Sequence, residues 1–262
     1  MTIDLRLLAG IGLAALALNG QASSFSATYT VKVEVDADKA GGTSVTDRAA
    51  IKAASLLGAI EVGSVRDEGS LKGGAFRLTS TVTGTRAVKM FVSEDRLEVN
   101  RTSEGQVRQG HLVTTRYTDR RGKREPLVYV ADIGKGRYEF RRGNAVVGGD
   151  RLQFSNVDMA ALPYLFLGRA PASAPFSVAY TDGKAVRVTT FRPRAESLRV
   201  AGSDVPTVRL TSVQRTPSDP LIEIWARAAD GFPLRVRVGL SAQYGAIADA
   251  QVTQVPAVFR PS

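Results

Sequence analysis

Apolar and polar residues alternate along most of this chain, and the alternation is cleanest from Leu221 to Leu240. Ile222, Ile224 and Ala226 take turns with Glu223, Trp225 and Arg227. Ala228 to Pro233 then turns the chain, and Leu234, Val236 and Val238 resume the alternation against Arg235 and Arg237. A period of two sends successive side chains to opposite faces of an extended backbone, so the stretch predicts a β-hairpin with one aliphatic face. The other face carries the only tryptophan of the chain among Glu223, Arg227, Arg235 and Arg237. That is a cation–aromatic combination suited either to binding or to solvation.

The same period recurs upstream. From Phe25 to Asp36, Phe25, Tyr29, Val31, Val33 and Val35 share one face and Thr28, Thr30, Lys32, Glu34 and Asp36 the other, which predicts an opening strand. Gly41 and Gly42 end it. Thr46 or Asp47 then suits the cap of a short helix over Arg48 to Leu57, stopped by Gly58, although Ala49 to Val65 also reads as a pair of strands. Ala75 to Val82, Arg86 to Val92 and Asp95 to Ser103 are short runs rich in Val, Thr, Phe and Leu, set off by Gly73-Gly74, Gly84 and a Glu104-Gly105 turn. Gln106 to Asp119, Leu127 to Asp132 and Arg137 to Arg141 continue the pattern between glycine turns. Turns at this spacing leave no room for crossover helices, so a mainly β, antiparallel architecture is expected.

Asp158 to Gly168 breaks the rhythm. Met159, Leu162, Tyr164, Leu165, Phe166 and Leu167 concentrate apolar surface, Asp158 suits a helix cap and Pro163 interrupts, which predicts a helical turn or two, packed over the sheet or plugging the mouth of a barrel. The Pro-rich Arg169 to Pro175 reads as a surface connection within one domain. Strands over Val178 to Asp182, Ala185 to Phe191, Glu196 to Val200 and Val205 to Val213 lead to the hairpin, and Ala246 to Val255 forms the last strand. Residues 23–262 are therefore expected to form a single β-domain.

Residues 1–22 add a location. Arg6 precedes an apolar run, Leu7 to Leu18, too short for a membrane span, and small residues at Gly20 and Ala22 suit cleavage after Ala22 of a secretory signal peptide. Asp4 offsets Arg6, which keeps an uncleaved anchor as the alternative. The absence of cysteine excludes disulfides and thiol chemistry, and with export it points to a bacterial periplasm. A net charge of +10 there meets lipid phosphates, lipopolysaccharide and cell-wall polymers rather than nucleic acid, or serves solubility.

Catalytic chemistry is sparsely represented. His111 is the sole imidazole, the chain has no G-x-S-x-G elbow, and no set of ligands is spaced for zinc, so neither a metal nor a cofactor is expected. Basic groups are commoner: Arg116, Arg120, Arg121, Lys123 and Arg124 gather at one hairpin, and Arg141-Arg142, Arg192 with Arg194, and Arg235 with Arg237 follow. Arginine forks match phosphate and carboxylate geometry. On edge strands the same charges simply discourage aggregation. The candidate binding residues are Trp225, Arg227, Arg235 and Arg237, with His111, Arg116 and Tyr117.

Taken in order, Arg96 to Gly110 feeding Tyr117, the run Asp158-Met159-Ala160-Ala161-Leu162-Pro163-Tyr164, the Thr181 to Lys184 turn, Glu223-Ile224-Trp225 and Phe232 to Val236 resemble a bacterial family of exported cell-envelope proteins of unknown function. Asp38 to Leu57 departs from that pattern as an insertion would. The resemblance implies a large antiparallel sheet curled into a barrel-like or spiral body with one or two short helices, similar to periplasmic lipoprotein and lipid carriers, and it transfers no catalytic residue. The function expected is that of a non-enzymatic periplasmic protein, at most peripheral to the membrane, that binds an anionic lipid, lipopolysaccharide or cell-wall polymer. A scaffold for an envelope protein is the alternative, and a hydrolase using His111 a third.

Overall fold

The computed structural model describes residues 23–35, 52, 55, 56, 58–85, 98–152, 156–216, 219–241 and 245–260. The leader assigned to residues 1–22, the strand expected over Arg86 to Val92, and the helix expected over Arg48 to Leu57 lie outside them, apart from Lys52, Ser55 and Leu56, which are helical. The described residues build one sheet of fifteen strands. In chain order these are β1 (Ser23–Val35), β2 (Ile60–Lys72), β3 (Ala75–Gly84), β4 (Val99–Arg108), β5 (His111–Arg121), β6 (Leu127–Asp132), β7 (Arg137–Arg142), β8 (Ala145–Arg151), β9 (Asn156–Asp158), β10 (Phe176–Thr181), β11 (Val186–Val200), β12 (Ser203–Ser212), β13 (Ile222–Arg227), β14 (Pro233–Ser241) and β15 (Ala246–Val252). Across the sheet they run β8 to β1, then β15 down to β9. Each half is thus a meander, and β1 pairs with β15 where the halves join.

Hairpin chemistry sets much of this order. Gly73-Gly74, Gln109-Gly110 and Ala201-Gly202 all carry positive φ at two successive residues, the turn whose twist matches that of the flanking strands. Several expectations need correction. Glu104-Gly105 is not a turn but lies inside β4 at a bulge. Gly105 stands opposite Phe76, and a Cβ there would meet the Phe76 ring at 2.5 Å and Val113 O at 2.0 Å, so glycine marks a close approach. Gly69 admits the Phe25 ring in the same way. The runs separated at Pro193 form one long strand, β11, and the pairing of β9 with β10 is parallel.

The sheet curls without closing through backbone pairing. The short β9 comes to rest on the inner side of β4 and β5, where the Asp158 carboxylate accepts from the Ser103 hydroxyl and, at 2.8 Å, from Thr114 Oγ1. The Asp158 amide donates to Thr114 Oγ1 at 3.1 Å, and the Tyr129 hydroxyl donates to Asn156 Oδ1 at 3.1 Å. β6 to β8 continue beyond this seam, so the body is a spiral.

Asp158 also caps the apolar segment beyond it, accepting from the amides of Ala160 at 2.8 Å and Ala161 at 3.1 Å. That segment then crosses the interior, with a single 3-10 turn at Leu162–Tyr164 started by Pro163. It fills the curl instead of lying over the sheet. The Tyr164 ring stacks on Phe25 at 5.0 Å and meets Phe232 edge-on at 5.8 Å.

Three buried oxygens continue from there in series. The Tyr164 hydroxyl lies 2.8 Å from Asp67 Oδ2 and 3.1 Å from the Tyr29 hydroxyl, which donates to Pro233 O at 2.9 Å. The Tyr164 hydroxyl donates to Asp67, and burial pushes that carboxyl above its usual range while the Ser80 and Tyr164 hydroxyls and Arg101 oppose the rise.

Both the glycine contacts and the buried acid can be tested. Gly231, at φ +67°, would place a Cβ 2.0 Å from Phe166 O, so Gly231→Ala is expected to lower the unfolding free energy by about 2–4 kcal/mol in urea titrations. Because the folded value of Asp67 is raised, its stabilising contribution is complete below the unfolded value of about 3.9 and is lost as pH rises through the folded value. Asp67→Asn carries no titrating group there, so its urea midpoint should fall less than that of the wild type as pH rises from 4; parallel profiles would refute the raised value.

Candidate functional site

On the outer face of β13 and β14 the residues expected to form a cation–aromatic surface are brought together, but each is already engaged. The Arg235 guanidinium sits over the Trp225 ring at 4.9 Å, with Arg209 at 5.7 Å, and the indole N–H donates to Glu196. Arg235 Nε donates to Asp249 Oδ1 at 2.8 Å, and that carboxylate holds the guanidinium more firmly protonated than usual. Arg237 pairs with Glu34 and, at 3.1 Å, with Glu223. Three arginines (209, 235, 237) meet four carboxylates (34, 196, 223, 249), so this patch has no surplus positive charge. Trp225 is only 4% exposed.

Arg227 serves another purpose. Its Nε donates to Asp230 Oδ1 at 2.7 Å and its Nη2 to Oδ2 at 2.6 Å, a two-pronged pair that is almost wholly buried. The remaining donors reach the carbonyls of Pro256 at 2.6 Å and Ala257 at 2.9 Å, while Asp230 accepts from the Phe259 amide at 2.6 Å. The pair therefore clasps the segment after β15 and seats Phe259 in the core beside Phe25. Tyr117 is also a core residue, its hydroxyl pushed up by burial, and Arg116 is exposed on the opposite side of β5.

His111 stands apart from all of these, at the rim of an open cleft of about 890 Å³ between the β4–β5 turn and strands β9 to β11. Leu112, Val113, Val157, Leu165, Val178 and Ala179 line it, and Val188 lies on its wall 53% exposed. The Arg169 guanidinium lies over the Phe166 ring at 4.8 Å and contacts His111 Nδ1 through Nη2 at 2.8 Å. An arginine only donates, so Nδ1 is the acceptor and the imidazole proton resides on Nε2. Burial first and Arg169 second lower the His111 pKa, which leaves the ring neutral at pH 7. Arg169 Nε is buried without a partner, and Arg108 on the same rim donates to Gln106 Oε1 at 3.1 Å. Among the described residues neither arginine is paired with a carboxylate.

At this cleft His111 meets two residues that sequence reasoning passed over, Arg108 in the lining and Arg169 through its contact with the imidazole. Arg169 sat in a Pro-rich stretch read as a plain connection, and Arg108 in a strand of mixed charges. The available signal was the position of Arg169, directly after an apolar run and a glycine, where the chain leaves the core. No group of His, Cys, Asp and Glu suited to a metal ion occurs among the described residues.

No family model matches the chain, and no curated protein matches it. Among solved structures it is similar to a beta-barrel-like protein of domain of unknown function DUF1849 from Brucella abortus. The two are 7% identical with a TM-score of 0.51, over 90% of this chain and 98% of that one. At that identity the shared property is the fold. The barrel-like β-body of a bacterial domain of unknown function, which the sequence resemblance implied, is the body this chain adopts.

The clasp is testable by truncation. Arg227→Ala leaves the Asp230 carboxylate buried and unpaired and is expected to cost about 3–5 kcal/mol in chemical denaturation. Replacing both partners by leucine should cost less than the single change, and an equal cost would show that the charge left behind is not what matters.

Proposed function

We propose that this chain is a non-catalytic binding protein of the bacterial cell envelope, exported to the periplasm, and that its open cleft holds an anionic amphiphile. One observation carries the reading: an apolar floor is joined to a rim of donors with no carboxylate to satisfy them. A hydrocarbon chain laid against Val178 and Val188 would remove apolar surface from water on both partners. A phosphate or carboxylate head would meet the guanidinium groups of Arg108 and Arg169, and the Nε2 proton of His111 supplies a neutral donor between them. The partner of His111 is a guanidinium rather than a carboxylate, which supports a role in binding over one in proton transfer. The Trp225 face, its cations already neutralised, takes no part in this binding.

Titration with dodecyl phosphate, dodecanol and inorganic phosphate tests the reading. The wild type should bind dodecyl phosphate, and either component alone at least about tenfold more weakly, since both halves of the cleft contribute. Arg169→Gln should weaken dodecyl phosphate by about tenfold or more while its melting temperature reports an intact fold. Equal binding of dodecyl phosphate and dodecanol, or an unaltered affinity in Arg169→Gln, would overturn the assignment.

A further inference from the structure

The last strand of the sheet, β8, is exposed at every residue and pairs with β7 on one side only. The opposite end strand, β9, rests against β4 and β5 through side chains, whereas β8 keeps its whole outer edge without a partner strand among the described residues. Edges of this kind are ordinarily blunted by a lysine, a proline or an inward charge. Ala145 to Gly149 has none of these, and Val146 and Val147 are 59% and 61% exposed. A bulge between Phe140 and Arg141 bends the start of the strand and leaves Gly148 to Arg151 in regular register. Gly148 and Gly149 raise no side chain against an incoming backbone. A groove of about 630 Å³ floored by Val130, Tyr138 and Val146 opens beside them.

Charge indicates what would settle there. Arg151 stands directly opposite Arg137, a like-charged cross-strand pair that weakens the hairpin by itself. Glu139 pairs with Arg141 and Asp132 with Lys135, the Asp150 carboxylate accepts from the Arg151 backbone amide, and among the described residues neither the Arg137 nor the Arg151 side chain has a carboxylate partner. We infer that β8 is a docking edge that accepts one extended strand of an acidic partner protein, with a carboxylate of that strand seated between Arg137 and Arg151. A second copy of this chain fits poorly, because it brings a net charge of +10 and the same two arginines to the contact. The inference is independent of the amphiphile cleft, which lies between the β4–β5 turn and strands β9 to β11.

Fluorescence anisotropy with three labelled peptides tests it: an alternating Thr-Val strand ending in glutamates, the same peptide with N-methylated alternate amides, and a version ending in lysines. The wild type should bind the acidic strand, and the methylated one about tenfold more weakly, because methylation removes ladder donors and leaves the charge unchanged. Arg151→Glu, an exposed change, should shift preference toward the lysine peptide. Equal binding of the methylated and unmethylated acidic peptides would show charge attraction without strand addition and refute the proposal. So would no binding, or sedimentation of the protein alone as a dimer that Arg151→Glu strengthens.

Discussion

A sheet of many strands must pair, cover or expose its two edges, and in this protein one buried carboxylate decides which. Asp158 joins β9 to Ser103 of β4 and Thr114 of β5 and caps the turn after it. The same side chain therefore holds the curl shut and launches the segment that fills it. Burial raises its pKa while four donors oppose that rise, the balance expected of an acid kept inside by hydrogen bonds rather than by a counter-charge. A seam of side chains is a different kind of closure from a continuous ladder: it positions β9 on β5 but commits none of β5's backbone to it.

Because the chain's own 159–168 segment occupies the curl, space for a guest lies at the seam and not in the centre. Phe25, Tyr164 and Phe232 meet ring to ring, and glycines at 69 and 105 admit aromatic rings against the sheet. The wedge where β10 and β11 diverge from the β4–β5 turn stays open. Arg169 reaches it because it is the first long polar side chain after the core segment, and its guanidinium rests on the Phe166 ring while Nη2 meets His111. The position of the cleft is thus a by-product of how the interior was filled.

The alternation of the chain revealed the fold class and the β13–β14 hairpin, because burial on one face of a strand writes itself directly into a period of two. It did not reveal that Glu223, Trp225 and Arg227 are buried on the other face as well. That burial comes from Arg209, Glu196 and the tail at Pro256 to Phe259, partners distant in sequence that no local pattern announces. Gly105 was read as a turn because glycine serves turns and close contacts alike, and only the Phe76 ring opposite distinguishes them. At the candidate site His111 was visible as the sole imidazole. Its companions Arg108 and Arg169 were not, since an arginine without a carboxylate looks in sequence like any other.

The pairing of β1 with β15 has a kinetic meaning. Tyr29 to Val35 find their partners at Ala246 to Val252, so the middle of the sheet can be knitted only when the latest-made strand becomes available to the earliest. Each meander has neighbours close by and can condense locally, whereas the join between them carries the full loop-closure cost. A chain emerging thread-like from its amino-terminal side would hold β1 with one flank vacant until the final strand arrives. Commitment to the finished body is thereby deferred until β15 is available.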